Sequence, residues 1–556
     1  MTQTADIDQL CVNSIRFLSV DAVQKANSGH PGLPLDAAPM AYVLWTRFLK
    51  YSPQHPDWFD RDRFILSAGH GSALLYSLLY LTGYDLSLED LKEFRQWDSR
   101  TPGHPERLHT PGVEVTTGPL GQGFANGVGM AIAEKYLSAV YNRPEFDIID
   151  HYTYSLVSDG DMMEGIASEA ASLAGHLKLG KLIYLYDANH VSLSAGINAT
   201  FTEDNAKRFE AYGWDVHNVD DGNDLDAVER ALKAARKENA KPSLIIVRTH
   251  LGYGSPNKQD SYEAHGSPLG EDEVKATKKN LNWPEDKTFY VPDEALERFR
   301  EAVEKGRRHE EEWNNRLSEY EKKYPKEAGE LKQLIAGELA QGWDADIPTF
   351  TPDDGKMATR VASQKVINAI APKLPGLFGG SADLDPSTHS VMKDLGDFQN
   401  PEFESGDTQG SAGGGWSYKG RNVHFGVREH AMGGIINGIA AHGGLMPYAA
   451  TFLIFSDYMR PTLRLAALME LGTKYIFTHD SIGLGEDGPT HQSVEQIPSM
   501  RAIPNFTVIR PCDANEAAYA WRIAVHSKTT PVAMIFTRQK LPVLDRTKLA
   551  GADGTL

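Results

Sequence analysis

Short unbroken apolar runs alternate with stretches of helical period along the first half of the chain. "YSLV" (154–157), "KLIYLYD" (181–187) and "PSLIIVRT" (242–249) lack polar alternation, so they read as strands buried on both faces. Between them, "GIASEAASLAGHLKLG" (165–180) and "DLDAVERALKAARKE" (224–238) place apolar residues at helical spacing, and the first is predicted to stop at Gly180. The same rhythm returns in the second half, with strands predicted at "LFGG" (377–380), "VHFGV" (423–427), "KYIFTH" (474–479), "FTVIR" (506–510) and "PVAMIFT" (531–537). Strand–helix alternation of this kind predicts an α/β fold: two doubly wound parallel-sheet domains joined by a charged helical linker. Residues 292–339 are charged and helical in pattern, a solvated connector by composition, and "DADIPTFTPDDGKM" (344–357) is a Pro- and Asp-rich break. The predicted division is 1–325 for the first domain, 326–355 for the linker, 356–545 for the second domain and 546–556 for a tail. Within the second domain, "FESGDTQGSAGGGWSYKG" (403–420) reads as a mobile or ligand-covering loop.

Charge narrows the partners. Over 556 residues the net charge is −19, which argues against nucleic acid or an anionic membrane. An anionic ligand must then be held by locally placed cations, backbone amides or a metal. The two cysteines, Cys11 and Cys512, form no disulfide framework or CxxC site and fit a reducing, cytoplasmic setting. The start, "MTQTADIDQL", has no signal-peptide pattern, and no apolar run approaches membrane-spanning length.

Chemistry concentrates where the predicted strands end. In "VSDGDMMEG" Asp159 closes a strand. Thirty residues on, "KLIYLYDAN" ends at Asn189, with Val191 just beyond. Strand ends in a parallel sheet share the carboxyl edge, where such sheets bind ligands. A carboxylate, an amide oxygen and a backbone carbonyl suit Mg²⁺ or Ca²⁺, which would neutralise a diphosphate. The other reading, that Asp159 only caps a helix, stays open. "TTGPLGQGFANG" places Gly118, Gly121 and Gly123 at a turn that opens a helix. A dinucleotide site would need an acid about 20 residues on, and "AVYNRPEFD" does not supply one. Histidines recur in Gly-rich turns: His30, His70, His104 and His265, then His479 and His491. Imidazoles suit proton transfer and hydroxyl binding, and no HExxH spacing points to zinc. Glu429 follows a strand in an apolar setting, where a carboxyl's pKa would rise. Phe452, Phe455 and Tyr458 are spaced three apart, as a core helix or as an aromatic pocket for a flat ring. Arg360, Ser387 and Arg538 suit a substrate phosphate.

Taken together, "SGHPG", "LSAGHGS", "TPGHPE", "GPLGQG", "SDGDMMEG…YDANHV", "GGSADL", "FGVREHAMG" and "THDSIGLGEDGPTHQ" resemble transketolase, a thiamine-diphosphate enzyme, over residues 7–542. The resemblance implies that Asp159, Asn189 and the Val191 carbonyl hold the divalent metal. It implies that His70, Gly118, Leu120, Gly160 and His265 cradle the cofactor. Glu429 would hydrogen-bond the aminopyrimidine, Phe452, Phe455 and Tyr458 would pack around it, and Asp383 would help hold it. Glu164 would sit in the interface of a homodimer whose active sites lie between subunits. His30, His104, His479 and His491, with Asp487, would bind substrate hydroxyls and assist proton transfers, while Arg360, Ser387 and Arg538 grip the sugar phosphate. The implied reaction, in the pentose phosphate pathway, moves a two-carbon ketol unit from a ketose phosphate to an aldose phosphate. Dihydroxyacetone synthase, with formaldehyde as acceptor, and a non-catalytic partner protein are the alternatives.

Departures from the family pattern set further expectations. Ser158 stands where a Gly is usual, which is expected to crowd the metal–diphosphate anchor. "VSLSAGINATF" lacks the usual Asp-Gly turn, so the loop at residues 194–200 is expected to differ. Ser493 replaces a common Pro. The chain stops soon after "TRQKLP" (537–542), where family members carry a third α/β domain without known catalytic side chains.

Overall fold

The structure, a computed structural model, describes residues 2–403, 409–546 and 548. The chain forms two compact units. One gathers the chain up to Ala131 with Ile148–Glu319; the other gathers Ile132–Asp147 with the chain from Tyr320 onward.

The first unit is built on five strands: β1 (Arg63–Leu66), β2 (Thr153–Ser158), β3 (Leu182–Ala188), β4 (Asp215–Val219) and β5 (Ser243–Arg248). They lie in the order β1-β2-β3-β5-β4, with every pairing parallel. β2 and β3 are buried along their whole length, which accounts for their lack of polar alternation. β4 stands at the edge, is half exposed and has the polar sequence "DVHNV", a weak strand signal. Helix Leu225–Ala235 buries Val228, Ala231, Leu232 and Ala235, the stripe that the helical spacing predicts, and Asp224 caps it through the Ala227 amide at 2.9 Å. The helix that follows β2, Gly165–His176, stops four residues short of Gly180. Lys178 (φ 52°) takes the left-handed turn instead. Gly180 serves close packing: a Cβ there would lie 2.2 Å from the Asn239 carbonyl oxygen. The charged helix Asp293–Lys323 is more than a solvated connector. Ala295 and Phe299 join the first unit's core, and the Trp313 indole donates to the Ile148 carbonyl at 2.8 Å.

The second unit holds eight strands: β6 (Leu377–Ser381), β7 (Asp397–Phe398), β8 (Trp416–Ser417), β9 (Asn422–His424), β10 (Met446–Phe452), β11 (Lys474–Thr478), β12 (Thr507–Ile509) and β13 (Val532–Ile535). Their order is β12-β13-β11-β10-β6-β9-β7-β8, again all parallel. β10 was not expected: "MPYAATF" is poor in the β-branched residues that advertise a strand, yet it lies in mid-sheet and is buried from Pro447 on. The predicted loop 403–420 lies partly outside the described residues, at 404–408. Its later part is tied down, with Asp394 donating to the Ala412 carbonyl and β8 pairing with β7. Of the tail, only residues 546 and 548 are described. Among the described residues no helix is long and apolar enough to cross a membrane.

Candidate functional site

In the first unit, three neighbouring strands deliver the predicted groups to one edge. β1 leads into Gly69–Gly71 with His70, β2 into Asp159, and β3 into Asn189 and Val191. Asp159 opens a short helix and is 3% exposed. Burial raises its carboxyl above the usual range, although the Tyr186 hydroxyl and the His190 amide (2.9 Å) both donate to it. His190 reaches it by a left-handed turn, φ 66°. Asn189 is oriented from behind: its Nδ2 donates to Asp187 (2.9 Å) and Asp36 (3.3 Å), and its Oδ1 accepts from the Val191 amide at 3.0 Å. Each oxygen of this set keeps a lone pair, so the donors fit a hard cation. Among the described residues no three His, Cys, Asp or Glu side chains gather to hold a metal, so an ion here would rest on the mixed carboxylate, amide and carbonyl set.

Asp161, two residues past Asp159, fastens the neighbouring loop. It is fully buried and accepts from Ser67 Oγ (2.7 Å), the Gly121 amide (2.8 Å), and the Ser158 amide (2.9 Å) and hydroxyl (3.1 Å). Ser158 occupies the N-cap position of this short helix, and at φ −122° it needs no glycine. Gly118 (φ 140°) lies against the His104 ring, and a Cβ on Gly69 would sit 2.6 Å from the Gly118 amide nitrogen. That close approach joins the His70 turn to the 118–121 loop. Leu120 lies 2.7 Å from where a Gly160 Cβ would be. Four histidines cluster beside this loop. Ring centroids lie 5.3 Å apart for His30–His70, 5.1 Å for His70–His265, 5.8 Å for His30–His265 and 6.3 Å for His30–His104. Burial lowers all four, His30 to about 3, so they are neutral at physiological pH. His265 Nδ1 and Asp36 Oδ1 are buried without a hydrogen-bond partner among the described residues. Glu164 is exposed just past the Asp159 helix. The departing loop closes through a Val191–Gly196 bridge and Ser192, which bonds the Ala195 carbonyl.

In the second unit, five consecutive strands, β13-β11-β10-β6-β9, present Arg538, His479, Phe452, Asp383 and Glu429 at or just past their carboxyl ends. Phe452 and Phe455 stack at 5.7 Å, Phe452 lies 3.7 Å from the His479 ring, and His491 stands 5.4 Å from Phe455. Phe452 ends β10 and Phe455 lies in a 3₁₀ turn, so the three-residue spacing is not a core helix; Tyr458 is 65% exposed. His479 (φ 61°) is buried and left-handed, with Nδ1 on the Thr478 hydroxyl and Nε2 3.7 Å from Asp487. Burial and then Arg360 pull it down to about 4. Arg538 pairs with Glu486 (2.5 Å) and Asp487 (4.0 Å). Arg360 donates to the Ser387 carbonyl at 2.6 Å, and its Nε is buried without a partner among the described residues. Asp383 is exposed with φ 63°, and Glu429 is buried as the first residue of helix Glu429–His442. Ser493 takes up its non-Pro role by donating to the His479 carbonyl at 3.5 Å.

Sequence reading missed the supporting residues. Tyr186, Asp187 and Asp36 orient the Asp159–Asn189 set. Asp480 accepts from Arg510 (2.6 Å) and Gln539 (3.1 Å), tying together the tips that carry His479 and Arg538. Asp187 was within reach, two residues before Asn189 in "YDAN". Asp36, 153 residues away, carried no local signal.

Comparison with known proteins agrees with this geometry. Residues 7–340 match the family model "Transketolase, thiamine diphosphate binding domain", and residues 355–543 match "Transketolase, pyrimidine binding domain". A transketolase of Geobacillus stearothermophilus is 54% identical over 99% of this chain and 80% of its own length. A chloroplastic transketolase of Arabidopsis thaliana is 52% identical over 99% of this chain and 73% of its own. A crystal structure of Pichia stipitis transketolase with sedoheptulose 7-phosphate superposes with a TM-score of 0.93 at 45% identity, over 97% of this chain and 78% of that one. The chain belongs to the transketolase family of thiamine-diphosphate-dependent transferases.

Proposed function

We propose that this transketolase moves a two-carbon ketol unit from a ketose phosphate such as xylulose 5-phosphate to an aldose phosphate such as ribose 5-phosphate, as a homodimer with active sites between subunits. The observation that carries the proposal is the run of five adjacent strand ends bearing Arg538, His479, Phe452, Asp383 and Glu429. Bound thiamine diphosphate supplies a thiazolium carbon nucleophile and electron sink for carbon–carbon cleavage. Asp159, Asn189 and the Val191 carbonyl would hold Mg²⁺ or Ca²⁺ against its diphosphate, while His70, His265, Gly160 and the Gly118–Leu120 backbone line its bed. Phe452, Phe455 and Tyr458 would flank the pyrimidine ring, Asp383 would help fix it, and Glu429 would hold the proton shared with the ring nitrogen N1′. Glu164 would face the partner subunit.

Substrate handling falls to the remaining groups. Neutral His30, His104 and His479, joined by His491, donate hydrogen bonds to sugar hydroxyls and to the oxygen on which charge develops, with Asp487 on a hydroxyl. Arg360, Arg538 and Ser387 grip the phosphate, and the unpartnered Arg360 Nε supports that role. Two arginines favour a phosphorylated acceptor over formaldehyde. Residues 1–325 and 356–545 are assigned to diphosphate and pyrimidine respectively, with 326–355 as the linker. The free Cys11 and Cys512 support a cytoplasmic setting. Ketol transfer from xylulose 5-phosphate to ribose 5-phosphate by the purified chain, with thiamine diphosphate and Mg²⁺, tests the proposal; no transfer, or preference for formaldehyde, sinks it.

A further inference from the structure

The second unit has a cavity at the amino edge of its sheet, the opposite edge from Glu429, His479 and Arg538. It encloses about 570 Å³, within the range of small-molecule sites. β6, β10 and β11 begin at its floor, and helix Pro325–Ile335 forms one wall. Leu334, Leu374, Leu445 and Val525 give the otherwise mixed lining an apolar side. Into that lining the fold sets Lys474, which is 3% exposed.

Lys474 Nζ donates to the carbonyls of Gly472 and Ser527, the latter at 3.3 Å, and has no acidic partner among the described residues. Burial draws its ammonium down to about 7. The acids around the cavity do not offset it. Glu330 accepts the Tyr141 hydroxyl at 2.7 Å, and Glu338 is exposed beyond the helix. Three further lysines, Lys326, Lys373 and Lys528, line the same space, and Lys373 pairs with Asp346 at 2.6 Å. A buried ammonium bonded to two neutral carbonyls keeps one N–H unspent and lacks a counter-ion. The nearby walls can take an apolar body, and the ammonium can take a carboxylate head.

We propose that this amino-edge cavity binds an apolar monocarboxylate, with its head on Lys474 and its body against Leu334, Leu374 and Val525. The cavity lies apart from the ketol-transfer chemistry. The competing account is that Lys474 only ties down the two carbonyls, which predicts no preference for an anion.

Calorimetric titration of the enzyme, saturated with thiamine diphosphate and Mg²⁺, separates the two. Sodium octanoate and sodium 2-naphthoate serve as probes, with 1-octanol as the uncharged control. One saturable site per chain is expected for at least one of the acids, and which of them binds identifies an aliphatic or an aromatic body. Octanol is expected to bind at least about tenfold more weakly, and Lys474→Met to weaken the acid at least about tenfold while ketol transfer is unchanged. Leu334→Trp fills the cavity from the helix side, keeps Lys474 and is expected to abolish the site. It remains decisive if Lys474→Met does not fold. No saturable acid binding, equal binding of octanol, or acid binding that survives either substitution overturns the proposal.

Discussion

The carboxyl edges of the two sheets are made of different materials. On the first, each group is fixed from several sides: Asp159 by Tyr186 and His190, Asn189 by Asp36, Asp187 and Val191, and the 118–121 loop by Asp161. On the second, buried Phe452, His479 and Glu429 share the edge with the exposed Asp383 and with an Arg538 held only by acidic neighbours among the described residues. Arg538 leans on the exposed Glu486, and Tyr458 is open to solvent. The first edge is a fixed mould and the second an adjustable grip. Damage to the mould should therefore cost activity whatever the substrate, whereas damage to the grip should depend on what is being gripped.

The largest effect that would sharpen this contrast comes from Asp159→Asn. Loss of charge at this proposed metal ligand is expected to cut ketol transfer and apparent Mg²⁺ affinity at least about 100-fold for every substrate pair, because even outer partners of a metal ligand are worth about 10–100-fold. A deficit confined to phosphorylated acceptors would break the distinction. Arg360→Leu comes next. It should raise KM for ribose 5-phosphate about 10–100-fold, from the loss of a charge-assisted contact, and leave glycolaldehyde as acceptor nearly unaffected. The same variant carries a pH signature. Burial and then the Arg360 cation depress His479 to about 4. Removing the cation favours the protonated ring, so the acid limb of kcat/KM should move to higher pH. An unmoved limb would separate His479 from that limb.

Two smaller effects probe how much of the mould is support. Tyr186→Phe removes the hydroxyl on Asp159 and should weaken Mg²⁺ about tenfold without changing acceptor preference. Ser158→Gly restores the residue usual in the family and should do least. Stability should change by a few tenths of a kcal/mol, the usual difference between a Ser and a Gly cap, with Mg²⁺ affinity within about twofold. A marked gain in metal affinity would show that the Ser158 side chain crowds the anchor after all.

The sheets and their edges were legible because chemistry in a parallel sheet sits where apolar runs stop. "YSLV" and "KLIYLYD" announced both the strands and the positions of Asp159 and Asn189. β10 was hidden because Ala and Met positions leave no β-branched pattern, and the end of helix Gly165–His176 was misjudged because Lys178 took a backbone turn usually left to glycine. The helical spacing of Phe452, Phe455 and Tyr458 was real in sequence and absent in space, since a strand end and a 3₁₀ turn reproduce it. Asp36 and Asp480 act through partners far along the chain, which no local spacing reveals.

Asp161, with its four hydrogen bonds to Ser67, Gly121 and Ser158, also has a kinetic meaning. The loop it fastens is ordered when the chain folds, before any ligand arrives. Its conformational entropy then belongs to the folding barrier and not to the encounter. Association at this edge should be a single second-order phase, linear in ligand concentration, with no slow closing step. An Asp161→Ala chain would have to order the loop after collision, and its traces would gain a plateau.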